Sequence, residues 1–436
     1  MTVRRWRQLA ARRLGARSMR RSPDIAMLLE NFPYPQDSRV LAEAESLAAE
    51  GWRLVVIAPR ARGQPRREMI GTVEVRRFRQ FQPSNDGIAG FVLEYLLAGA
   101  ALHLAAARML IRGTRALHLH NPPDIFFLAG AMFRAFGHKV VFDHHDLFPE
   151  LLECKGGGRR WIRLARLSER LTFAAANHVL STNQSYAEIA LTRGGKQRGE
   201  VTVVRNGPPE SWCRVPIKSR PADRGTVRLG YLGGLLEHEG VLVLPSVLAR
   251  LRADGLQATL TIVGEGNERP TLAAEFERRG LAASVTFTGW VEWDQVPELL
   301  EEVDIGLAPA PKTEMNSRST ITKIAEYLAL GKAVVAYDLC ETRRTAGDAA
   351  VLVPPGDEIG FAAAIAALAR DPVRRQALVE DARERAQQLT WPHSAQALLT
   401  AYERVLGRPA ASRSCEVHTN GASRAQASSL GVRGQC

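Results

Sequence analysis

Short apolar runs alternate with longer amphipathic stretches along nearly the whole chain, and the alternation happens twice. Residues 25–29 (IAMLL), 53–59 (RLVVIAP), 72–78 (TVEVRRF), 116–120 (ALHLH), 139–143 (KVVFD), 178–182 (HVLST) and 201–206 (VTVVRN) read as strands. Helices are expected near 40–50, 125–136 and 159–176. Strand–helix–strand repetition of this kind argues a parallel, doubly wound sheet. After the proline-rich polar stretch 208–225 the alternation restarts with VRLGYLG, TLTIVGEG, SVTFTGWV, DIGLAPA and AAVLVPP. Helices at 240–254, 268–279, 294–301 and 360–370 fall between or after these runs. The fold expected is α/β, two Rossmann-like doubly wound parallel-sheet domains. At 436 residues the chain exceeds one ordinary core and fits two domains of about 200 residues each. The divisions expected are a basic extension 1–21, an N-terminal domain 22–208, a linker 209–225, a C-terminal domain 226–390, a helix 391–408 and a disordered tail 409–436.

The segment 90–111 is the most hydrophobic of the chain, but Glu94, His103 and Arg108 interrupt it. Its unbroken apolar runs fall short of the ~18 residues a membrane span needs, so a buried helix is expected. Charge is unevenly spread. Residues 1–208 carry 32 Lys and Arg against 18 Asp and Glu, whereas the remainder carries 26 against 28. That asymmetry points the N-terminal domain at a polyanion, either anionic lipid or nucleic acid. No nucleic-acid-binding signature accompanies the charge, so a membrane surface is the expected partner and nucleic acid is not. The start MTVRRWRQLAARRLGARSMRR lacks an apolar core and is not a secretory signal. It reads as a basic amphipathic helix, a disordered extension, a misassigned start or, by composition, a transit peptide. Five cysteines without a CxxC pair fit free thiols in a reducing compartment.

One stretch concentrates chemistry, KTEMNSRSTITKIAEYLALGKAVVAYD (312–338). Ser319 or Thr320 is expected to cap a short helix that Gly331 ends. Ile321, Ile324, Ala325 and Leu328 recur at i, i+3, i+4 and i+7 and form its buried stripe. Lys323 and Glu326 then share the opposite face near the helix start. Unpaired amides and a lysine there suit phosphate oxygens, and a carboxylate one turn on suits the two hydroxyls of a ribose. An ordinary surface ion pair would produce the same spacing. A nicotinamide-binding fingerprint is excluded, since residues 25–36 contain no glycine and GYLGG (230–234) has the wrong spacing.

Seven motifs in order carry a resemblance: FDHHDLFPE (142–150), STNQSY (181–186), VVRNGP (203–208), LGYLGGLLEHEGV (229–241), IVGEGNERP (262–270), FTGWV (287–291) and STITKIAEYLALGKAVVAYDLCETR (319–343). Over about 24–407 the chain resembles glycosyltransferase family 4, within it members thought to build exopolysaccharide or surface glycans. The resemblance implies a GT-B fold, two Rossmann-like domains with a cleft between them. It implies retaining transfer from a nucleotide diphosphate sugar, UDP- rather than GDP-linked, to a glycan or lipid-linked acceptor, without a required metal or other cofactor. Thr320, Ile321 and Thr322 would offer amides to the diphosphate, beside Ser319, and Lys323 would supply charge. Glu326 would hold the donor ribose. Gly233 and Gly234 would let backbone approach the diphosphate, Gly264, Gly266 and Val291 would border the base, and Lys312 and Asn316 would touch phosphate or sugar. His145 corresponds to the family's cleft histidine, where it would orient hydroxyls, with Asp143 and Asp146 flanking it. Tyr34, Asp37 and Arg39 are acceptor-side candidates on the first loop. The implied place is cytoplasmic, on the inner face of a membrane.

Three positions depart from the family pattern. Arg318 stands where the first of two paired glutamates is expected, and Gly234 and Glu239 stand where many relatives carry arginine and lysine. The departures leave two other readings open, a GT-B sugar-nucleotide epimerase and a non-catalytic member acting as partner subunit or glycan-binding module.

Overall fold

The computed structural model describes residues 22–79, 88–122, 124–154, 156–216 and 225–409, with 88–96 described by their backbone. The expected basic extension 1–21 and nearly all of the expected tail lie outside the described residues. The chain divides into two compact units. One comprises the chain up to Ser181 together with Ala187–Val204 and the part from Ala395 onward; the other comprises Thr182–Tyr186 and Arg205–Ser394.

In the first unit the strands are β1 (Ile25–Leu28), β2 (Leu54–Pro59), β3 (Arg67–Ile70), β4 (Val73–Phe78), β5 (Ala116–His120), β6 (Lys139–His144), β7 (His178–Ser181) and β8 (Val201–Val203). They form one sheet in the order β3-β4-β2-β1-β5-β6-β7-β8, parallel except for β3 against β4. Its helices are α1 (Ser38–Ala49), α2 (Ile88–Ile111), α3 (Phe127–Ala135), α4 (Phe148–Cys154), α5 (Arg159–Ala175) and α6 (Gln184–Thr192). Strand order reverses at β1, which makes the crevice outside the carboxyl ends of β1 and β5 the place where ligands bind in such sheets. Crossovers between parallel strands are right-handed, so α2, α3 and α5, which lead the same way across the sheet, share the face opposite α1. Helix α3 packs against both α2 and α5.

Helix α2 is the hydrophobic segment, and over residues 97–111 it is buried on one side only. Ala98, Leu102, Ala106 and Met109 enter the core, whereas Leu97, Leu104 and Ile111 are exposed. A helix apolar nearly all round gives no periodic signal from which its buried side can be read.

The second unit holds β9 (Thr226–Leu232), β10 (Gln257–Val263), β11 (Val285–Gly289), β12 (Ile305–Ala308), β13 (Ala333–Tyr337) and β14 (Val351–Val353). These are ordered β11-β10-β9-β12-β13-β14 and paired in parallel. Helices α7 (Leu244–Ala253), α8 (Arg269–Arg278), α9 (Val296–Leu299), α10 (Glu314–Arg318), α11 (Thr322–Ala329), α12 (Cys340–Ala346), α13 (Glu358–Arg370) and α14 (Pro372–Gln387) cover it, and α15 (Trp391–Leu406) follows. Here the order reverses between β9 and β12, and the loops after those strands border the crevice.

One expectation is corrected. The first part of the stretch read as a linker is not a free connection. Glu210–Arg214 forms a helical turn whose Trp212 is buried in the second unit and stacks on Trp293 with ring centroids 4.8 Å apart. Proline and polar content made it look like a connector, but one indole outweighs that composition. Helix α15 falls where a C-terminal helix is expected. Its Tyr402 hydroxyl is hydrogen-bonded at 2.8 Å to His118 Nδ1 on β5, inside the first unit.

Candidate functional site

The second unit gathers a polar site around the start of α11. The expected cap residues do not cap this helix. Thr313 caps the five-residue α10, Ser319 ends it, and α11 starts after Ile321, with no side chain covering its first amides. Ser319 and Thr320 are engaged instead by the STNQSY motif. The Tyr186 hydroxyl lies 3.1 Å from Ser319 Oγ, and Asn183 Nδ2 donates to Thr320 Oγ1 at 3.0 Å and to the Arg318 carbonyl at 2.8 Å. The stripe Ile321, Ile324, Ala325 and Leu328 is buried as the spacing predicts. Tyr327 braces the helix: its hydroxyl accepts from the Leu232 amide at 2.8 Å and sits 3.2 Å from two strand carbonyls. A β-carbon at Gly306 would come within 2.6 Å of the Tyr327 ring, so that strand position has room only for glycine.

Lys323 is only 5% exposed, and its ammonium donates to the Glu239 carboxylate while lying 5.0 Å from the centroid of the Tyr231 ring. The glycine loop closes on the same amine. A β-carbon on Gly233, whose φ is +132°, would stand 3.2 Å from Lys323 Nζ. Gly264 and Gly266 carry the loop from behind, where side chains would strike the Gly233 and Leu235 carbonyls at 2.0 and 2.3 Å. Gly264 also donates to Gly289, joining the turn that leads to the half-buried Val291. Glu326 is buried one turn after Lys323. Burial pushes its carboxyl up to about 7, Lys323 opposing and Glu239 adding to the rise.

In the first unit, β6 ends in a buried charge network. Asp143 is fully buried and accepts from Arg39 Nε at 2.7 Å and Nη2 at 2.6 Å, from His145 Nδ1 at 2.9 Å and from His120 Nδ1 at 3.1 Å. Arg39 also donates to the Val204 carbonyl at 2.9 Å and pairs with Glu43 at 3.1 Å. Burial alone would lower the His145 value, but the Asp143 charge and hydrogen bond override it and lift the imidazole to about 9. His145 is therefore a cation near neutral pH. Burial pushes the Glu43 carboxyl up to about 8. The adjacent loop is tied by Asn121, whose Oδ1 accepts from the His145 and Asp146 amides at 2.8 and 3.1 Å. Glu43, His118, His120 and Asp143 have metal-ligand chemistry and lie within 4.8 Å of one another. The Arg39 guanidinium already bonds one of those carboxylates and pairs with the other, so a cation there would face a fixed positive charge.

These placements sort the expected residues. Lys323, Glu326, Gly233, Gly264 and Gly266 come together with the amides of Thr322 and its neighbours, and Lys312 stays exposed. Asn316 is 3% exposed and spends its amide on the carbonyls of His238 and Pro311 at 2.7 and 2.9 Å, so it ties a loop. Of the first-loop residues, Tyr34 lies in the core, Asp37 caps α1 by accepting from the Val40 amide at 3.0 Å, and Arg39 is held by Asp143. These three are structural in the free chain. Asn121, His120 and Glu43 carry the first network and were not singled out from the sequence; Glu239, which carries the second, stood out there only as a departure from the family pattern.

The model of the family "Glycosyl transferases group 1" matches residues 226–371, and that of the "Glycosyl transferase 4-like domain" matches 36–207. The chain belongs to glycosyltransferase family 4. A 2-deoxystreptamine glucosyltransferase of Streptomyces kanamyceticus is 27% identical over 43% of this chain and 48% of its own length. A phosphatidyl-myo-inositol mannosyltransferase of Mycolicibacterium smegmatis is 32% identical over 39% and 42%. The chain thus spans about half the length of the curated relatives it matches. Among solved structures, sucrose-phosphate synthase of Thermosynechococcus elongatus superposes with a TM-score of 0.69 at 18% identity, covering 88% of this chain and all of that one. HepE of Anabaena, solved with UDP, gives 0.64 at 17%, covering 87% and 99%. The two parallel-sheet units thus have the GT-B fold.

As a family 4 chain it departs from the pattern in a visible way. Arg318 forms an ion pair with Glu314 at 3.1 Å on the outside of α10, so Glu314 does not stand free as a substitute for the missing glutamate. Glu239 does not merely replace a lysine; it neutralises the one lysine the site retains.

Proposed function

We propose that the chain transfers a sugar, with retention, from a UDP-linked donor to a glycan or lipid-linked acceptor in surface-glycan synthesis. The observation that carries this reading is Lys323 at the uncapped start of α11, pressed against the glycine loop at the strands' carboxyl ends. Helix-terminal amides and a buried ammonium together suit a diphosphate. The Anabaena structure with UDP and the relatives named as glucosyl- and mannosyltransferases support a nucleotide-sugar donor. In this mechanism the protein acts mainly by electrostatics. Lys323 and the α11 amides absorb the leaving diphosphate's charge, and Glu326 hydrogen-bonds the ribose. His145, cationic and fixed through Nδ1 by Asp143, presents Nε2 to a hydroxyl and orients it; no metal is required. We place the enzyme on the inner face of a membrane. No described helix is long and apolar enough to cross one.

Thermal-shift titration with UDP-, GDP- and ADP-sugars tests the donor, and UDP-sugars should raise the melting temperature most. Lys323→Ala and Glu326→Ala should each abolish transfer while the fold survives; either variant near wild-type activity overturns the site. A second reading has its own observation. Lys323 is neutralised by Glu239 and Arg318 by Glu314, which fits a non-catalytic partner subunit or glycan-binding module, and absence of any nucleotide shift would favour it. Turnover of UDP-sugar with no acceptor present would instead indicate an epimerase.

A further inference from the structure

On α5 the residues facing away from the core form two lines. Leu164, Leu167 and Leu171 recur at i, i+3 and i+7 and are 54%, 53% and 40% exposed. Arg159, Arg163, Arg166 and Arg170 recur at i, i+4, i+7 and i+11, also exposed. At 100° per residue the two lines run about a quarter turn apart. Trp161 is exposed beside them. The helix contains one acid, Glu169, and it is buried against Arg193 at 2.6 Å; across the turn, Glu153 comes within 3.7 Å of Arg166. The helices sharing this layer repeat the theme. Leu97, Leu104 and Ile111 line the outside of α2, Leu128 and Phe136 are exposed on and just after α3, and Arg108 and Arg134 stand among them.

Exposed leucines do not help this unit fold, and so many on neighbouring helices mark a surface that meets something apolar. We propose that the outer face of α2, α3 and α5 docks the chain on an anionic lipid bilayer, leucines and Trp161 entering the acyl boundary and arginines meeting headgroup phosphates. Exposed leucine with flanking arginine matches both parts of that partner, since guanidinium groups reach phosphates while their stems stay with the apolar side chains. A second copy of the chain fits worse, because a twofold contact would set an arginine line against its own equivalent. The proposal rests on the preceding reading for its membrane and not for its donor.

The test is co-sedimentation of the full chain with phosphatidylcholine vesicles, with and without phosphatidylglycerol. The chain should pellet with the anionic vesicles and remain in solution with the neutral ones. The set Leu164→Gln, Leu167→Gln and Leu171→Gln should lower partitioning by about tenfold or more at every salt concentration. The set Arg159→Gln, Arg163→Gln, Arg166→Gln and Arg170→Gln should lower it about as much at low salt and flatten its salt dependence. The second set keeps the proposal testable if the first folds poorly. Partitioning that survives both sets, or a leucine set that turns a dimer into a monomer in light scattering, overturns the proposal. UDP titration on the same samples separates the two readings: both sets should bind UDP as the parent does, and a parent that binds none defeats the donor reading while leaving docking decided by the vesicles.

Discussion

Both units bury charge at the carboxyl ends of their strands, yet they settle it differently. In the first, Asp143 takes four hydrogen bonds from Arg39, His120 and His145. In the second, Lys323 has one carboxylate partner, Glu239, and its charge reaches Glu326 only through space. Around Asp143 the network is satisfied and fixes a histidine before any ligand arrives, although Glu43 beside it has an ion pair but no hydrogen bond to either oxygen. A short-handed one carries a standing cost that a ligand can relieve, which is how buried ionisable groups mark sites.

The largest effect that would break this contrast is on folding. Arg39→Met leaves Asp143 buried without its bidentate partner and should cost about 3–5 kcal/mol in chemical denaturation. Lys323→Met should cost clearly less, because its partner Glu239 has a side chain 27% exposed and can be hydrated. Equal losses would erase the distinction. Next in size is a pH effect at Glu326. Its folded value of about 7 lies above the ordinary 4.5, so its contribution is full below 4.5 and is lost as pH rises through 7. The difference amounts to about 3 kcal/mol. Glu326→Gln should therefore melt higher than the parent at pH 8 and equally at pH 4, although it should lose transfer; no gain at pH 8 would show the carboxylate is fully compensated. Smallest is Glu239→Gln. Freed from its carboxylate, Lys323 should bind UDP about tenfold more tightly in calorimetry, about 1.4 kcal/mol. Unchanged or weaker binding would mean that Glu239 helps hold the donor rather than competing with it.

The strands were legible because buried parallel strands are written as apolar runs, and LVVIAP and AVVAY need no partner to be recognised. The α11 stripe was legible for the same reason. The helix start was not. TEMNSRST supplies polar residues at every step, and only in three dimensions does Thr313 cap one short helix while a second begins bare at Ile321. Helix α14 is hard to read from the sequence although Asp371 caps it and Pro372 opens it, because half of its buried face is alanine, Ala382 and Ala386 beside Leu378 and Val379. Spacing placed Lys323 and Glu326 as neighbours on one side of the helix but not as buried groups. Their opponent Glu239, 84 positions from Lys323, was visible only as a departure from a pattern. Asn316 looks ligand-facing until the backbone carbonyls that occupy its amide are seen, and Tyr34 looks so until its ring is found in the core.

The return of the chain at Gly207 has a consequence for how the protein is made. A β-carbon on Gly207 would lie 1.9 Å from the Leu389 carbonyl, so the outgoing and returning strands of backbone nearly touch where the second unit begins and ends. Topologically that unit is an insertion within the first, since α15 and Tyr402, the partner of His118, come after it. On the ribosome, domains generally complete in the order they emerge. Here the N-terminal unit appears first and is finished last, because the helix that seals His118 is synthesised only after the whole second unit has emerged. Neither half can be excised by a single cut without leaving a seam open.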